Sequence, residues 1–151
     1  AACPAGAIVN KGRGLHDIES LIAERMKRVE PGEEKTVAFV SGHRAGVDVW
    51  RGETVAGVPG LVRVVLPSIA RLSEQDVLRA FELGAERVIV VAAAPEAERY
   101  PEATRRAKLR VDRARELTSE AGYPPESVHW IEIDEPDFAR LDELLKEAVG
   151  A

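Results

Sequence analysis

One cysteine, Cys3, stands in 151 residues, so no disulfide can form within the chain, which fits a reducing, cytoplasmic setting. Aromatic residues make up only 5%, too few for a surface on which nucleic-acid bases would stack. The formal net charge is −5, which favours neither a phosphate backbone nor an anionic membrane. No apolar run approaches the ~20 residues that span a bilayer, the longest lying around Val88–Pro95. The N-terminus lacks the charged-then-apolar order of a signal peptide. These absences point away from nucleic-acid binding, membrane insertion and disulfide scaffolds. With 45% hydrophobic and 31% charged residues, the chain is an ordinary globular mixture, long enough to bury one core.

Residues 1–14 hold Gly6, Gly12 and Gly14 without a sustained period and read as an irregular lead-in, with a single domain over 15–151. Leu15, Ile18, Leu21, Ile22, Met26 and Val29 fall on one helical stripe, predicting a helix over His16–Val29 that Pro31-Gly32 stops. Strands and helices then alternate. Apolar runs over Lys35–Val40, Val62–Leu66, Arg87–Val91 and Val128–Ile133 read as buried strands. Helices are predicted from the Ser73 cap to about Leu83, over Pro101–Ala121, and over Asp137–Val149. The stretch Arg44–Leu61, with four glycines at 46, 52, 57 and 60, suggests a short helix at most.

This alternation implies an α/β fold, a doubly wound parallel sheet of about four strands in a flavodoxin-like or Rossmann-like three-layer sandwich. In such sheets ligands sit beyond the carboxyl ends of the strands. Here those ends are Ser41-Gly42-His43-Arg44, Pro67-Ser68-Ile69-Ala70-Arg71 and Ala92-Ala93-Ala94-Pro95. Ser41, His43, Arg44 and Ser68 could form an anion or small-molecule site from hydroxyls, backbone amides and a guanidinium. The plainer reading of this stretch, and the favoured one, is a solvated loop with a salt-bridging arginine. The glycines form no dinucleotide fingerprint or Walker pattern. No nucleophile–base pair emerges either, since His16, His43 and His129 are scattered. The arginine-rich run Arg99–Arg115 is interleaved with Glu and Asp and reads as a solvated helix face, or as a docking face for an acidic partner.

Ala2-Cys3-Pro4-Ala5-Gly6-Ala7-Ile8 resembles the end of a bacterial ferredoxin cluster motif, whose last cysteine precedes a proline. The three companion thiolates would lie before Ala1, so the resemblance implies a longer polypeptide with a ferredoxin module upstream. Cys3 would be a metal ligand only with those cysteines.

A second resemblance spans about Lys35–Ile133. Val77-Leu78-Arg79-Ala80-Phe81, Gly84-Ala85 and Arg87-Val88-Ile89-Val90-Val91 resemble the helix–strand centre of the delta subunit of methyl-viologen-reducing hydrogenase, a domain also fused in heterodisulfide reductase A-like proteins. In that family the strand enters a Gly-Cys-His-Pro-Gly-Asp-Cys-His-Tyr stretch. Here the run is Ala92-Ala93-Ala94-Pro95-Glu96-Ala97-Glu98-Arg99-Tyr100, which keeps Pro95 and Tyr100 and has Ala93 and Glu98 at the cysteine positions. Leu66-Pro67-Ser68 resembles the family's Leu-Pro-Cys, and Ser41 stands where another cysteine follows the first strand.

The resemblance implies the fold, membership of a multi-subunit redox complex, and other redox subunits or domains as partners. It also implies an iron–sulfur cluster and a flavin in the full-length parent or partner subunits. A [2Fe–2S] cluster needs soft, deprotonated ligands, which Ser41, Ser68, Ala93 and Glu98 do not supply. The expectation for this domain is therefore no cofactor, and a docking or structural role without catalysis of its own.

Overall fold

A computed structural model describes residues 15–42, 51–54, 58–97, 100–134 and 138–150. The elements are α1 (Leu15–Met26), β1 (Thr36–Ser41), β2 (Arg51–Thr54), β3 (Leu61–Leu66), α2 (Glu74–Glu82), β4 (Arg87–Ala93), α3 (Pro101–Glu120), β5 (Val128–Ile133) and α4 (Phe138–Gly150). Short 3₁₀ turns follow β3 (Ile69–Arg71) and β4 (Pro95–Ala97) and precede β5 (Pro125–Ser127).

The sheet runs β2-β3-β1-β4-β5. β1 pairs in parallel with β3 on one side and β4 on the other, and β4 pairs in parallel with β5. Numbering only the parallel strands in chain order, the arrangement is 2-1-3-4, the start of the flavodoxin-like order rather than the Rossmann one. The four parallel strands are the four apolar runs of the sequence, and every residue of β1 is buried, as expected of a strand covered on both faces.

β2 departs from expectation. Where the sequence suggested a short helix at most, Arg51–Thr54 form an edge strand antiparallel to β3, with Arg51 level with Val65 and Thr54 with Val62. Arg-Gly-Glu-Thr has no apolar alternation to announce a strand. The open edge of β3 supplies the pairing that local propensity does not.

Alternation along the strands sorts the core into two layers. Val37 and Phe39 of β1 and Val88, Val90 and Ala92 of β4 pack with Ile22 of α1, Val77 and Ala80 of α2, and Ala107 and Val111 of α3. Ala38, Val40, Ile89 and Val91 pack on the other face with Leu141 and Leu145 of α4. Three helices therefore cover one face and α4 lies on the other, a three-layer α/β sandwich.

Helix ends follow the sequence closely. Asp76 accepts from the Ser73 backbone N–H at 2.7 Å while the Ser73 hydroxyl accepts from the Asp76 N–H at 3.2 Å, a capping box that starts α2. Gly84, at φ +101, ends it. α1 stops at Met26, three residues before the predicted end, because its last stripe residue, Val29, lies in the turn that leads to Pro31-Gly32.

Candidate functional site

The candidate site is the rim formed by the carboxyl ends of β1, β3 and β4, at the switch point where the chain order reverses between β1 and β4. Ser41 is the last residue of β1, and its neighbour Gly42 donates from its N–H to the Leu66 carbonyl at 2.7 Å, tying the ends of β1 and β3 together. Ser68 caps the turn after β3, its hydroxyl accepting from the Ala70 N–H at 3.3 Å. That turn packs against β1. Ala93 ends β4, and the next residue, Ala94, donates to the Ile133 carbonyl at 2.9 Å.

The rim thus collects Ser41, Ser68 and Ala93. Cys3, His43, Arg44 and Glu98 lie outside the described residues. Ser41 is only 7% exposed, and its hydroxyl is buried without a hydrogen-bond partner among the described residues. An unpaired buried hydroxyl costs free energy, so it is the chemically notable atom of the rim. Ala93 is as buried as Ser41 but leaves the other face of the sheet, since it follows Val91 whereas Ser41 follows Phe39.

Two side chains that the sequence did not mark as site residues hold the rim. Thr104, fully buried in the first turns of α3, donates from its hydroxyl to the Ala93 carbonyl at 3.4 Å. Its signal was a polar residue on the otherwise apolar stripe of Ala107, Val111 and Ala114. Arg110 donates to the Ala70 carbonyl at 3.1 Å and so clamps the turn after β3 to α3. No local pattern marks a contact across 40 residues of chain.

Beside this clamp, Asp76 is 3% exposed. Burial pushes its carboxyl above the ordinary aspartate range, and Glu19 adds to the rise, against the lowering by Ser73's hydrogen bonds and the Arg110 charge. His129, on β5, is held below the ordinary histidine range by burial and by the charges of Arg87 and Arg115. It pairs in register with Ile89, well down the sheet from the rim, and takes no part in the site.

A cleft of about 880 Å³ opens at the opposite, amino-terminal end of the strands, lined by Glu33, Lys35, Glu86, Arg87, Tyr123 and Glu126 among others. Its charges are partly matched within the protein, Arg87 with Glu34 at 3.1 Å and Glu86 with the Lys35 N–H at 2.9 Å. Topology and the buried Ser41 hydroxyl, rather than this cleft, mark the carboxyl rim as the candidate site.

The donors at the rim do not fit an iron–sulfur cluster. Ser41 offers a hard hydroxyl, Ser68 a hydroxyl engaged in capping, and Ala93 no donor, and these side chains do not start from one face. Among the described residues, no three of His, Cys, Asp and Glu come together as a metal site.

The sequence model of the methyl-viologen-reducing hydrogenase delta subunit family matches residues 41–151, from the end of β1 through α4. The chain belongs to this family. The delta-subunit family is one of subunits of hydrogenase-like redox complexes, and the match contains the rim and the whole of β3, β4 and β5. A comparison with curated proteins yields no match. Among the described residues, no helix is long and apolar enough to cross a membrane.

Proposed function

We propose that this chain is a cluster-free docking module of a cytoplasmic electron-transfer assembly of the hydrogenase and heterodisulfide reductase type. In this reading residues 15–151 act as one α/β domain, and residues 1–14 are the tail of a ferredoxin-type segment. Partner subunits or neighbouring domains carry the iron–sulfur clusters and the flavin. The observation that carries it is the rim. The delta-subunit family match spans residues 41–151, and the resemblance read from the sequence puts Ser41, Ser68, Ala93 and Glu98 at that family's thiolate positions, of which Ser41, Ser68 and Ala93 lie on the rim. A domain that keeps the scaffold and loses the ligands retains shape and surface as its contribution to the complex.

The test is anaerobic reconstitution of the purified chain with iron and sulfide, followed by binding to co-expressed redox subunits. The expected result is a colourless protein that co-purifies with those subunits. Iron and acid-labile sulfide in the ratio of a [2Fe–2S] cluster overturn the reading.

One observation favours a second reading. The buried, unpartnered Ser41 hydroxyl lies at the switch point, where α/β sheets bind ligands, and it suits a small anion. Titration with inorganic phosphate, followed by amide shifts at Ser41, Gly42 and Ser68, tests it directly.

A further inference from the structure

β5 is the last strand of the sheet on its side, and among the described residues nothing pairs with its outer edge. In a parallel strand the N–H and C=O of one residue point to the same side. The Ile133 carbonyl accepts from Ala94 on the β4 side, so His129, Ile131 and Ile133 face inward to β4, while Val128, Trp130 and Glu132 turn their backbone groups outward. The Val128 carbonyl is already taken, accepting from Arg115 Nε at 3.0 Å. Trp130 and Glu132 are left with outward N–H and C=O groups. Trp130 packs partly against one core layer and Ile131 and Ile133 against the other, all three half-buried, and Glu132 is exposed; past the Arg115 contact at Val128, no described residue bonds to this edge. Open edges of this kind are templates for pairing with another chain.

We propose that this edge pairs with the same edge of a second copy of the chain, antiparallel about a two-fold axis at Ile131. A two-fold axis perpendicular to the sheet keeps each face on its own side, so opposed residues must both be odd or both even. Centring on Trp130 sets the already engaged Val128 carbonyl against Glu132 of the partner subunit. Centring on Glu132 opposes two carboxylates, and centring on Ile133 opposes Glu132 to an aspartate. Centring on Ile131 avoids both carboxylate clashes and moves the engaged Val128 carbonyl opposite position 134, past the end of the strand, where no ladder bond is required of it. Trp130 then lies opposite Glu132 of the partner subunit, and both residues exchange their outward N–H and C=O groups with the other copy. The Trp130 indole N–H donates to Glu132 at 2.8 Å within the chain, and this register brings a second carboxylate beside the same indole. The spacing of these two residues makes the edge complementary to itself, which argues for a second copy over an unrelated strand.

The register yields a position-specific test on the whole chain. Ile131 faces its own copy as a non-hydrogen-bonded pair, with Cβ atoms about 4.5–5.5 Å apart, close to disulfide reach. In a Cys3→Ser background, Ile131→Cys is expected to give a covalent dimer with copper phenanthroline and air, and His129→Cys, opposite Ile133, is expected to stay monomeric on a non-reducing gel. Glu132→Pro removes an outward N–H, which an edge strand tolerates, and is expected to convert a sedimenting dimer into a folded monomer with unchanged circular dichroism. A wild-type chain that sediments as a monomer, or cross-linking from position 129 as fast as from 131, overturns the proposal.

Discussion

Ser41 and Ala93 end adjacent parallel strands, yet their side chains leave opposite faces of the sheet. The register runs Thr36–Arg87 through Val40–Val91, so Ser41 is level with Ala92 and one step short of Ala93. Phe39 and Ala92 pack under α2 and α3, whereas Val40 and Val91 pack with α4. A ligand at this rim meets the Ser41 side chain from one layer and the Ala93 methyl from the other.

This pleat predicts how thiolates placed at the rim behave. Ser41→Cys/Ser68→Cys/Ala92→Cys puts the strand cysteines on one face and is expected to retain more iron after anaerobic reconstitution than Ser41→Cys/Ser68→Cys/Ala93→Cys. Metal–thiolate bonds of about 2.3 Å leave little tolerance for a thiolate on the wrong face. Iron analysis and visible absorption of the two folded variants decide the matter, and equal loading would show that the strand ends twist free of the pleat.

The Ser41 hydroxyl gives a stability prediction. A buried, unsatisfied polar group costs about 1–3 kcal/mol, and alanine removes it with little change in volume. Ser41→Ala is expected to be neutral or to stabilise by up to about 1 kcal/mol in thermal or urea unfolding. Ser68→Ala removes a cap bond and moves stability the other way. A clear loss of stability in Ser41→Ala would mean that the hydroxyl is paired in solution.

Much of this architecture was legible because strands buried on both faces write themselves as apolar runs. β1, β3, β4 and β5 lie within two residues of where those runs placed them. The same property hides the faces, since a continuous run such as Val37–Val40 does not say which residues meet α3 and which meet α4. The rim positions 41, 68 and 93 could be read from strand ends. The Arg110 clamp and the Thr104 bond could not, because both depend on how α3 lies across the sheet. β2 was illegible for a different reason, as Gly52 and its polar neighbours gain their strand only from the waiting edge of β3.

Gly60 precedes β3 at φ +78, and a Cβ there would sit 2.1 Å from the Glu34 carbonyl oxygen. Gly60 also accepts from the Thr36 N–H at 2.9 Å, so the contact cannot relax without disturbing the start of β1. Gly60→Ala is expected to cost clearly more than the roughly 1–2 kcal/mol of left-handed backbone strain alone. Gly84→Ala, at φ +101 with open space around it, bears only that strain. Urea unfolding of the pair should rank them in that order, and equal losses would remove the Glu34 contact from the account.

His129 predicts loss of stability on mild acidification. Its folded value is depressed, so the unfolded chain binds the proton first as the pH falls. The stability it contributes is present above the ordinary histidine value of about 6.5 and is lost as the pH drops through the lower folded value. His129→Gln is expected to flatten unfolding free energy against pH in this window. An unchanged slope would mean that neither burial nor the charges of Arg87 and Arg115 depress the imidazole in solution.

Asp76 acts in the opposite sense. Its folded value is raised, with burial the largest cause, so below the unfolded value both states hold the proton and the full contribution is present. As the pH rises through the folded value, the native state must ionise a buried carboxyl, and that stability is lost. Glu19 on α1 strengthens the effect, while Arg110 on α3 and the two Ser73 hydrogen bonds on its own helix oppose it. Asp76→Asn keeps an oxygen to accept from Ser73 and removes the ionisation. The stability of the wild type relative to this variant is therefore expected to fall between acid and neutral pH, measured by urea unfolding across a pH series. A relative stability that rises over the same range would show that Ser73 and Arg110 outweigh burial, and that the carboxylate is the form the α2 cap was built to hold.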